Sequence, residues 1–402
     1  MEVIILCGGQ GTRLRSVVHD IPKCLAPVAG RPFLGYMLDY LSAYSVDHVV
    51  FSIGYLKEQV MSFVGAHSWP FSYDFAVEET PLGTGGGIRL ALEKCRSERV
   101  FVLNGDTFFP LSLDTMPFAG PVTVALKPMK AFSRYGAVEV AGGDTPGPSG
   151  LGMTISAFRE KAYCEEGLIN AGVYAIDRSQ LHLEALPERF SFEKDVLEPM
   201  AAARELQGWP VERYFIDIGI PEDYEKAQWE IPAWFAVQKA SAQVLASDAE
   251  ALFLDRDGVL NRLLEGTYVK SWADWQWMPG ILEELPKWAA QFKYVVLVTN
   301  QRGVGKGLMT DADLAKIHAR MMQELLEAGG KMDLILTCTA VSDDDPRRKP
   351  NPGMFREACA LLPSLDPQRC VMLGDADSDA AFARNCGMAF IRLRPQAVSS
   401  DS

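Results

Sequence analysis

Glu2-Val3-Ile4-Ile5-Leu6-Cys7-Gly8-Gly9-Gln10-Gly11 opens the chain as an apolar run that stops at glycines. A short apolar run without polar alternation predicts a strand buried on both faces of a parallel sheet. The glycines predict a loop at its carboxyl end. The same texture recurs at 48–53 (HVVFSI), 100–103 (VFVL) and 121–126 (PVTVAL), with helical stretches such as 33–44 and 87–95 between them. A second series starts at Ala251-Leu252-Phe253-Leu254 and continues at 294–298, 333–336 and 370–373. Strands alternating with helices predict an α/β fold, here two domains, each a mainly parallel sheet flanked by helices. The expected division is 1–230, a helical linker at 231–248, and 249–402. Residues 221–246 read as a helix, a break at Pro232 and a second helix. The tail AVSSDS, 397–402, is expected to fray.

At 402 residues the chain has room for two or three domains at about 150 residues each. Its formal charge of −13 argues against a nucleic-acid partner, which needs basic surface. It leaves phosphate ligands open, because a divalent cation and a few local Lys or Arg reverse the sign of one site. Eight cysteines without a CxxC pair read as reduced residues of a cytoplasmic protein. The opening MEVIILCGG has no basic start, so no signal peptide is expected. No apolar run reaches the ~18 residues of a membrane span.

Two motifs carry chemistry. Gly8, Gly9 and Gly11 form a loop whose backbone N–H groups can approach phosphate oxygens. Arg13 adds a fork of donors and Lys23 a compact charge. At the other end, Asp255-Arg256-Asp257-Gly258 follows an apolar strand. Two carboxylates two residues apart at a strand end can divide the work of nucleophile and acid/base. An EF-hand would need Glu where Gly266 stands.

The string GGQGTRL, followed by Pro22-Lys23, by Gly83-Thr84-Gly85-Gly86, by Asn104-Gly105-Asp106, by Asn170-Ala171-Gly172 and by Asp217, resembles the sugar-1-phosphate nucleotidyltransferase family. The resemblance implies a Rossmann-like domain in which a sugar phosphate attacks the α-phosphorus of an NTP and expels pyrophosphate. It implies nucleotide contacts from Leu6, Gly8, Gly9, Gly11, Thr12, Gly83, Thr84, Gly85 and Asp106. Arg13 and Lys23 would handle the phosphates, Asp106 and Asp217 would hold Mg²⁺, and Glu160, Lys161, Asn170 and Gly172 would take the sugar. No hexapeptide repeats follow, which favours the compact guanylyl- and uridylyltransferase branch.

Asp255-x-Asp257, Thr299-Asn300-Gln301, Arg348-Lys349-Pro350 and Gly374-Asp375 occur in the order of the haloacid dehalogenase superfamily, which residues 250–395 resemble. The resemblance implies attack by Asp255 on phosphorus, acid/base work by Asp257, and a phosphoryl group held by Thr299 and Lys349. Mg²⁺ would lie on Asp255, Asp257 (through its carbonyl) and Asp375. Asp379 would support Lys349 or the metal shell, and Asn300, Arg302 and Arg348 would contact substrate. Only 44 positions separate Asp255 from Thr299, and 50 separate Thr299 from Lys349, too few for a large cap domain. The strings FLDRDGVLNR and TNQRGVGKGLM are similar to the heptose-bisphosphate and histidinol-phosphate phosphatase branch. The Cys/His loop usual there is reduced to Cys338, so no zinc is expected. Trp272, Trp275 and Trp277 are expected to pack and anchor loops; lining the opening is the alternative.

A phosphatase joined to a nucleotidyltransferase suits a sugar bearing two phosphates. The resemblance implies D-glycero-D-manno-heptose 1,7-bisphosphate: its 7-phosphate is cleaved, and the 1-phosphate then takes GMP from GTP. The guanine rests on the resemblance alone. The open alternatives are a uridylyltransferase for an amino-sugar 1-phosphate fused to a phosphatase of other specificity, such as for histidinol phosphate, or a chain with one degenerate half.

Overall fold

The computed structural model describes residues 1–9, 11, 13, 14, 17–141 and 152–394; Thr12 and the 397–402 tail lie outside them. The chain divides into two compact units between Gln228 and Trp229.

The first unit is built on a nine-stranded sheet. On one side run Ser72–Val77, His48–Ile53, Glu2–Leu6 and Arg99–Asn104, all parallel. Val3, Ile4 and Ile5 are wholly buried, as a run without polar alternation demands. The helices Phe33–Ser42, Lys57–Gly65 and Gly83–Leu92 fall between these strands in the chain. Beyond Arg99–Asn104 the sheet changes character. Cys164–Asp177 pairs antiparallel with both Arg99–Asn104 and Val122–Phe132, and Met153–Lys161 and Gly136–Val140 are antiparallel too. Among the described residues, only Leu206–Pro210 runs parallel to its neighbour Val122–Phe132 on this side. The parallel expectation therefore holds for one half of this sheet. In the other half, the apolar run at 121–126 does form a buried strand, but it pairs antiparallel with Cys164–Asp177. Strands such as Met153–Lys161 carry charged or half-exposed residues and have no apolar run to announce them.

Chain connectivity reverses direction between Glu2–Leu6 and Arg99–Asn104: the path first runs outward to Ser72–Val77, then returns to the far side of the opening strand. Loops leaving the carboxyl ends of two such strands diverge and leave a crevice, where α/β sheets bind ligands.

The second unit carries a five-stranded, wholly parallel sheet in the order Leu334–Cys338, Tyr294–Asn300, Ala251–Leu254, Cys370–Gly374, Ala389–Arg392. Side chains alternate across it with period two. Leu252, Leu254, Val295, Leu297, Val371 and Leu373 enter one core; Ala251, Phe253, Val296, Val298 and Met372 enter the other. Both faces are thus covered. The intervals before Thr299 and Lys349 are occupied by the helices Ile281–Gln291 and Asp311–Glu327 and the strand Leu334–Cys338. Thr310 and Asp313 start the second of these helices with a reciprocal capping box.

One expectation is corrected. Pro232 does not break the chain into two helices; it lies inside a single helix, Pro221–Leu245. Proline in a helix interior costs about 3 kcal/mol. That cost is offset by burial of Ile231, Ala233, Val237, Ala240 and Val244, the last four within the second unit's core. The tryptophans pack as expected: Trp272 stacks on Trp275 at 5.1 Å, Trp275 meets Trp277 edge-on, and the Trp277 indole N–H donates to Glu324 at 2.7 Å.

Candidate active sites

The first site lies at the crevice described above, a cavity of about 260 Å³ lined in part by Leu6, Gly9, Gly11, Arg13, Lys23, Thr84 and Asp106. The backbone N–H of Gly105 donates to the carbonyl of Leu6 at 3.0 Å, tying the two strand ends together. Ile216–Asp217 pairs with Thr107–Phe108, and the N–H of Ile218 donates to the Asp106 carbonyl at 3.0 Å. This small ladder sets Asp217 beside Asp106 although 111 positions separate them. Both carboxylates converge on the Lys23 ammonium, Asp106 by a direct hydrogen bond and Asp217 at 3.6 Å. Two carboxylate groups facing one positive charge are the hard oxygen donors that a divalent cation accepts.

Gly83, Thr84 and Gly85 open a helix against the 188–193 segment. A Cβ on Gly85 would stand 2.2 Å from the Phe190 ring, so glycine permits that contact. The Thr84 hydroxyl accepts from the Phe192 N–H at 2.9 Å and donates to Glu193 at 2.7 Å. Gly8 is outside the cavity lining, next to Glu78. Glu160, Lys161, Asn170 and Gly172 are outside the cavity lining, on the antiparallel strands; the Asn170 carbonyl oxygen accepts from the Gly172 N–H, and its amide donates to the Tyr174 hydroxyl at 3.0 Å. Sequence reasoning missed Asn104, Glu193 and Gly219, which line the cavity, and Arg134, which pairs with Asp223 and lies 3.9 Å from Asp217. Glu193 and Arg134 have no local signal, because only the fold brings them in. Tyr135, next in the chain, has its phenol pushed up to about 12, by burial first and then by the charge of Asp217.

The second site occupies the carboxyl ends of the central strands of the second unit, around a cavity of about 200 Å³. Lys349 is buried and bridges Asp255 at 2.8 Å and Asp379 at 2.6 Å. Asp255, Asp375 and Asp379 each bring a carboxylate oxygen within 4.8 Å of the others. Gly258, at φ +89, makes this approach possible: a Cβ there would fall 2.2 Å from an Asp375 oxygen. Burial, with the charge of Asp379 second, pushes Asp375 up to about 6. Burial also raises Asp255, against the pull of Lys349. Lys349 keeps its ammonium: burial favours the neutral amine, but Asp255 and Asp379 outweigh it. Three neighbouring carboxylates, two of them paired with the one buried ammonium, form an undercompensated oxygen cluster, which fits a divalent cation.

Asp257 is held differently. It accepts from Arg256 at 3.0 Å, Asn261 at 2.9 Å and Gln301 at 2.7 Å. Burial opposes its charge, but the Arg256 guanidinium and these hydrogen bonds keep its carboxyl below the usual range. The Asp257 side chain is therefore engaged away from the acid cluster. Arg256 is itself 1% exposed and donates its other end to His318 Nε2 at 3.3 Å. Facing a permanent cation, Nε2 must be the acceptor, so the imidazole carries its proton on Nδ1. Gln301 also donates to the Thr299 hydroxyl at 2.8 Å, leaving that hydroxyl a proton to donate elsewhere. Asn300 lines the cavity and exchanges two 3.0 Å bonds with the Lys349 backbone. Arg302 and Arg348 are outside the lining; both meet Asp343. Arg256, Asn261 and His318 were missed as site residues, although the first two stand in the DRDGVLN string.

Residues 2–233 match the family model described as nucleotidyl transferase, and residues 346–394 match one described as HAD-hydrolase-like. The chain is 43% identical over 236 residues to the D-glycero-alpha-D-manno-heptose 1-phosphate guanylyltransferase of Aneurinibacillus thermoaerophilus, covering 58% of this chain and 98% of that one. It is 37% identical over 225 residues to the enzyme of the same name from Campylobacter jejuni, with shares of 56% and 97%. It is 39% identical over 139 residues to the D-glycero-alpha-D-manno-heptose-1,7-bisphosphate 7-phosphatase of Mycobacterium tuberculosis, with shares of 34% and 73%. Two sites of different chemistry, each at the carboxyl ends of its own sheet, thus correspond to two separate sets of relatives. The chain belongs to the nucleotidyl transferase family through its first unit and to the HAD-like phosphatases through its second.

Proposed function

We propose that the chain makes GDP-D-glycero-D-manno-heptose from heptose 1,7-bisphosphate in two steps, one in each unit. The observation that carries this reading is the presence, in one polypeptide, of two separate sites whose relatives are named for successive forms of one sugar.

In the second unit Asp255 Oδ attacks the phosphorus of the 7-phosphate and forms an aspartyl-phosphate. Asp257 gives its proton to the departing sugar oxygen, then takes one from the water that attacks the phosphoenzyme. In the free site Asp257 is held as a carboxylate; the dianionic phosphate brought beside it raises its affinity for the proton it must donate. Thr299 and Lys349 hold the transferring group, and Asn300 keeps Lys349 in place. Asp255, Asp375 and the Asp257 carbonyl would hold Mg²⁺, which when bound neutralises phosphoryl charge.

In the first unit an oxygen of the heptose 1-phosphate attacks the α-phosphorus of GTP and pyrophosphate leaves. The loop containing Gly8, Gly9, Gly11 and Thr12 offers N–H donors to the triphosphate, and Arg13 and Lys23 neutralise it. Gly83, Thr84 and Gly85 border the nucleoside, while Glu160, Lys161, Asn170 and Gly172 take the sugar side. Asp106 and Asp217 would hold the Mg²⁺ of this site. Dependence on GTP puts the enzyme in the cytoplasm. Among the described residues no helix is long and apolar enough to cross a membrane.

The test is incubation with heptose 1,7-bisphosphate, Mg²⁺ and each NTP in turn, followed by mass analysis of the nucleotide sugar. GDP-heptose is expected; a UDP- or CDP-sugar in its place rejects the guanine assignment.

A further inference from the structure

A cavity that takes two polyanions should be short of carboxylates that no cation answers. In the first unit Asp106 and Asp217 both face Lys23. Glu193 lines the same cavity and pairs with no cation among the described residues. Its two oxygens are used unequally. Oε2 accepts from the Thr84 hydroxyl at 2.7 Å and from the Ser191 hydroxyl at 3.0 Å. Oε1 has no hydrogen-bond partner among the described residues. A carboxylate lining a phosphate-binding cavity adds repulsion unless a neutral part of the ligand supplies it with donors.

The segment that carries Glu193 is pinned on two sides. The Phe190 N–H donates to the Leu82 carbonyl at 3.0 Å, and the Gly85 N–H donates to the Phe190 carbonyl at 3.1 Å. Phe192 packs edge-on against Tyr174, with ring centroids 5.3 Å apart. Tyr174 also locates the carboxylate. Its hydroxyl accepts from the Asn170 amide at 3.0 Å, and its phenol is pushed up by burial first and then by the charge of Glu193. Asn170 in turn accepts from the Gly172 N–H at 2.9 Å. A Cβ on Gly172 would stand 2.5 Å from Asn104 Nδ2, and Asn104 lines the cavity. Glu193 therefore stands between Thr84, on the nucleoside border, and the Asn170–Gly172 group, on the sugar side. Hydroxyls suit that place. A sugar ring carries them on adjacent carbons, and a fixed carboxylate oxygen accepts from them in charge-assisted bonds.

We propose that Glu193 is a specificity-determining residue of the transferase, whose Oε1 accepts a hydrogen bond from a ring hydroxyl of the incoming sugar phosphate. The proposal rests on the transferase reading of the first unit and adds to it the group that selects the sugar by its hydroxyl pattern. In Glu193→Gln the amide oxygen can still take the Thr84 and Ser191 protons, which turns the NH2 group, a donor, toward the sugar. The variant lowers kcat/KM for heptose 1-phosphate about 10- to 100-fold, as for the loss of one hydrogen bond to a charged acceptor. KM for GTP stays within about twofold of wild type, because the base and triphosphate contacts are untouched. The sharper signature is lost selectivity. Among analogues of heptose 1-phosphate lacking the 2-, 3- or 4-hydroxyl, wild type discriminates against at least one by about tenfold or more, and Glu193→Gln by less than about threefold.

Steady-state pyrophosphate release from GTP with the parent sugar phosphate and the three deoxy analogues tests this, in wild type and in Glu193→Gln. Discrimination that is equal in the two proteins overturns the proposal. A rise in KM for GTP with the sugar KM unchanged also overturns it, by placing Glu193 on the guanine. Wild-type protein that uses all three deoxy analogues as well as the parent overturns it without recourse to any variant. Wild-type protein that releases no pyrophosphate from heptose 1-phosphate with any NTP fails the transferase reading itself, a result distinct from all of these.

Discussion

The two sites follow one architectural rule and differ in how they keep charge. In the first, Lys23 and its two aspartates lie at a rim: Asp106 is 36% exposed and Asp217 17%. In the second, Lys349 is 2% exposed and Asp379 not exposed at all. A site that neutralises and aligns a triphosphate can leave its charges near water, because its ligand brings most of the charge. A site that uses a carboxylate as a nucleophile must desolvate it and hold it in one pose, at the expense of burying charges that only an incoming cation and phosphate balance. The glycines divide in the same way. Gly9 has nothing within 4 Å of where a Cβ would stand, whereas Gly258 is filled by Asp375.

This contrast can be broken most severely at the nucleophile. Asp255→Asn should lower phosphate release from the bisphosphate by about 10⁴-fold or more, while pyrophosphate release from heptose 1-phosphate and GTP stays at the wild-type rate. Loss of both activities would contradict independent sites. Next in size are the glycines. Gly258→Ala should cost phosphatase activity on the order of 100-fold, because it displaces Asp375 and strains a positive φ. Gly9→Ala should lower guanylyl transfer less, by on the order of tenfold, because the added Cβ meets no protein atom but stands where the triphosphate approaches the loop. Equal losses at both positions would erase the distinction between a filled site and an open one.

The acid limb of stability probes the dry site further. His318 is pushed down to about 4, first by burial and then by the charge of Arg256. The folded state thus binds this proton less well than the unfolded chain, in which histidine titrates near 6.5. Its neutral form contributes fully above pH 6.5, and stability falls as pH drops from there through 4. The loss reaches about 2 to 3 kcal/mol, allowing for partial exposure. His318→Gln keeps an acceptor for Arg256 and cannot titrate. Urea unfolding of the variant between pH 7 and 4.5 should show a flatter decline than wild type, and an identical slope would remove His318 as the cause. The smallest effect belongs to the exposed Lys57–Glu79 pair, 3.0 Å apart with the glutamate 79% exposed. Glu79→Gln should change unfolding free energy by less than about 0.5 kcal/mol.

What could be read in the sequence was whatever the backbone period or a short motif encodes. The buried parallel strands announced themselves as apolar runs, and the motifs at their ends placed Arg13, Lys23, Asp106, Asp255 and Asp257. In the antiparallel half of the first sheet only the run at 121–126 was legible; strands such as Met153–Lys161 are exposed along part of their length and lack the apolar run. Pro232 misled because local chain chemistry forecasts a break that packing overrides. Glu193, Arg134 and His318 enter their sites from elements far away in the chain, so no spacing could point to them. Arg302 and Arg348 were legible as cations beside motifs. That they converge on Asp343 follows only from the pairing of Asn300 with Lys349.

The central claim is that two independent sites act in sequence on one sugar. Phosphorus NMR of wild-type and Asp255→Asn protein, each given heptose 1,7-bisphosphate, GTP and Mg²⁺, tests it most directly. Wild type should release inorganic phosphate first, then pyrophosphate with GDP-heptose, and the variant should release no inorganic phosphate yet still convert added heptose 1-phosphate. Nucleotide transfer that fails in the variant even with heptose 1-phosphate supplied would contradict the account.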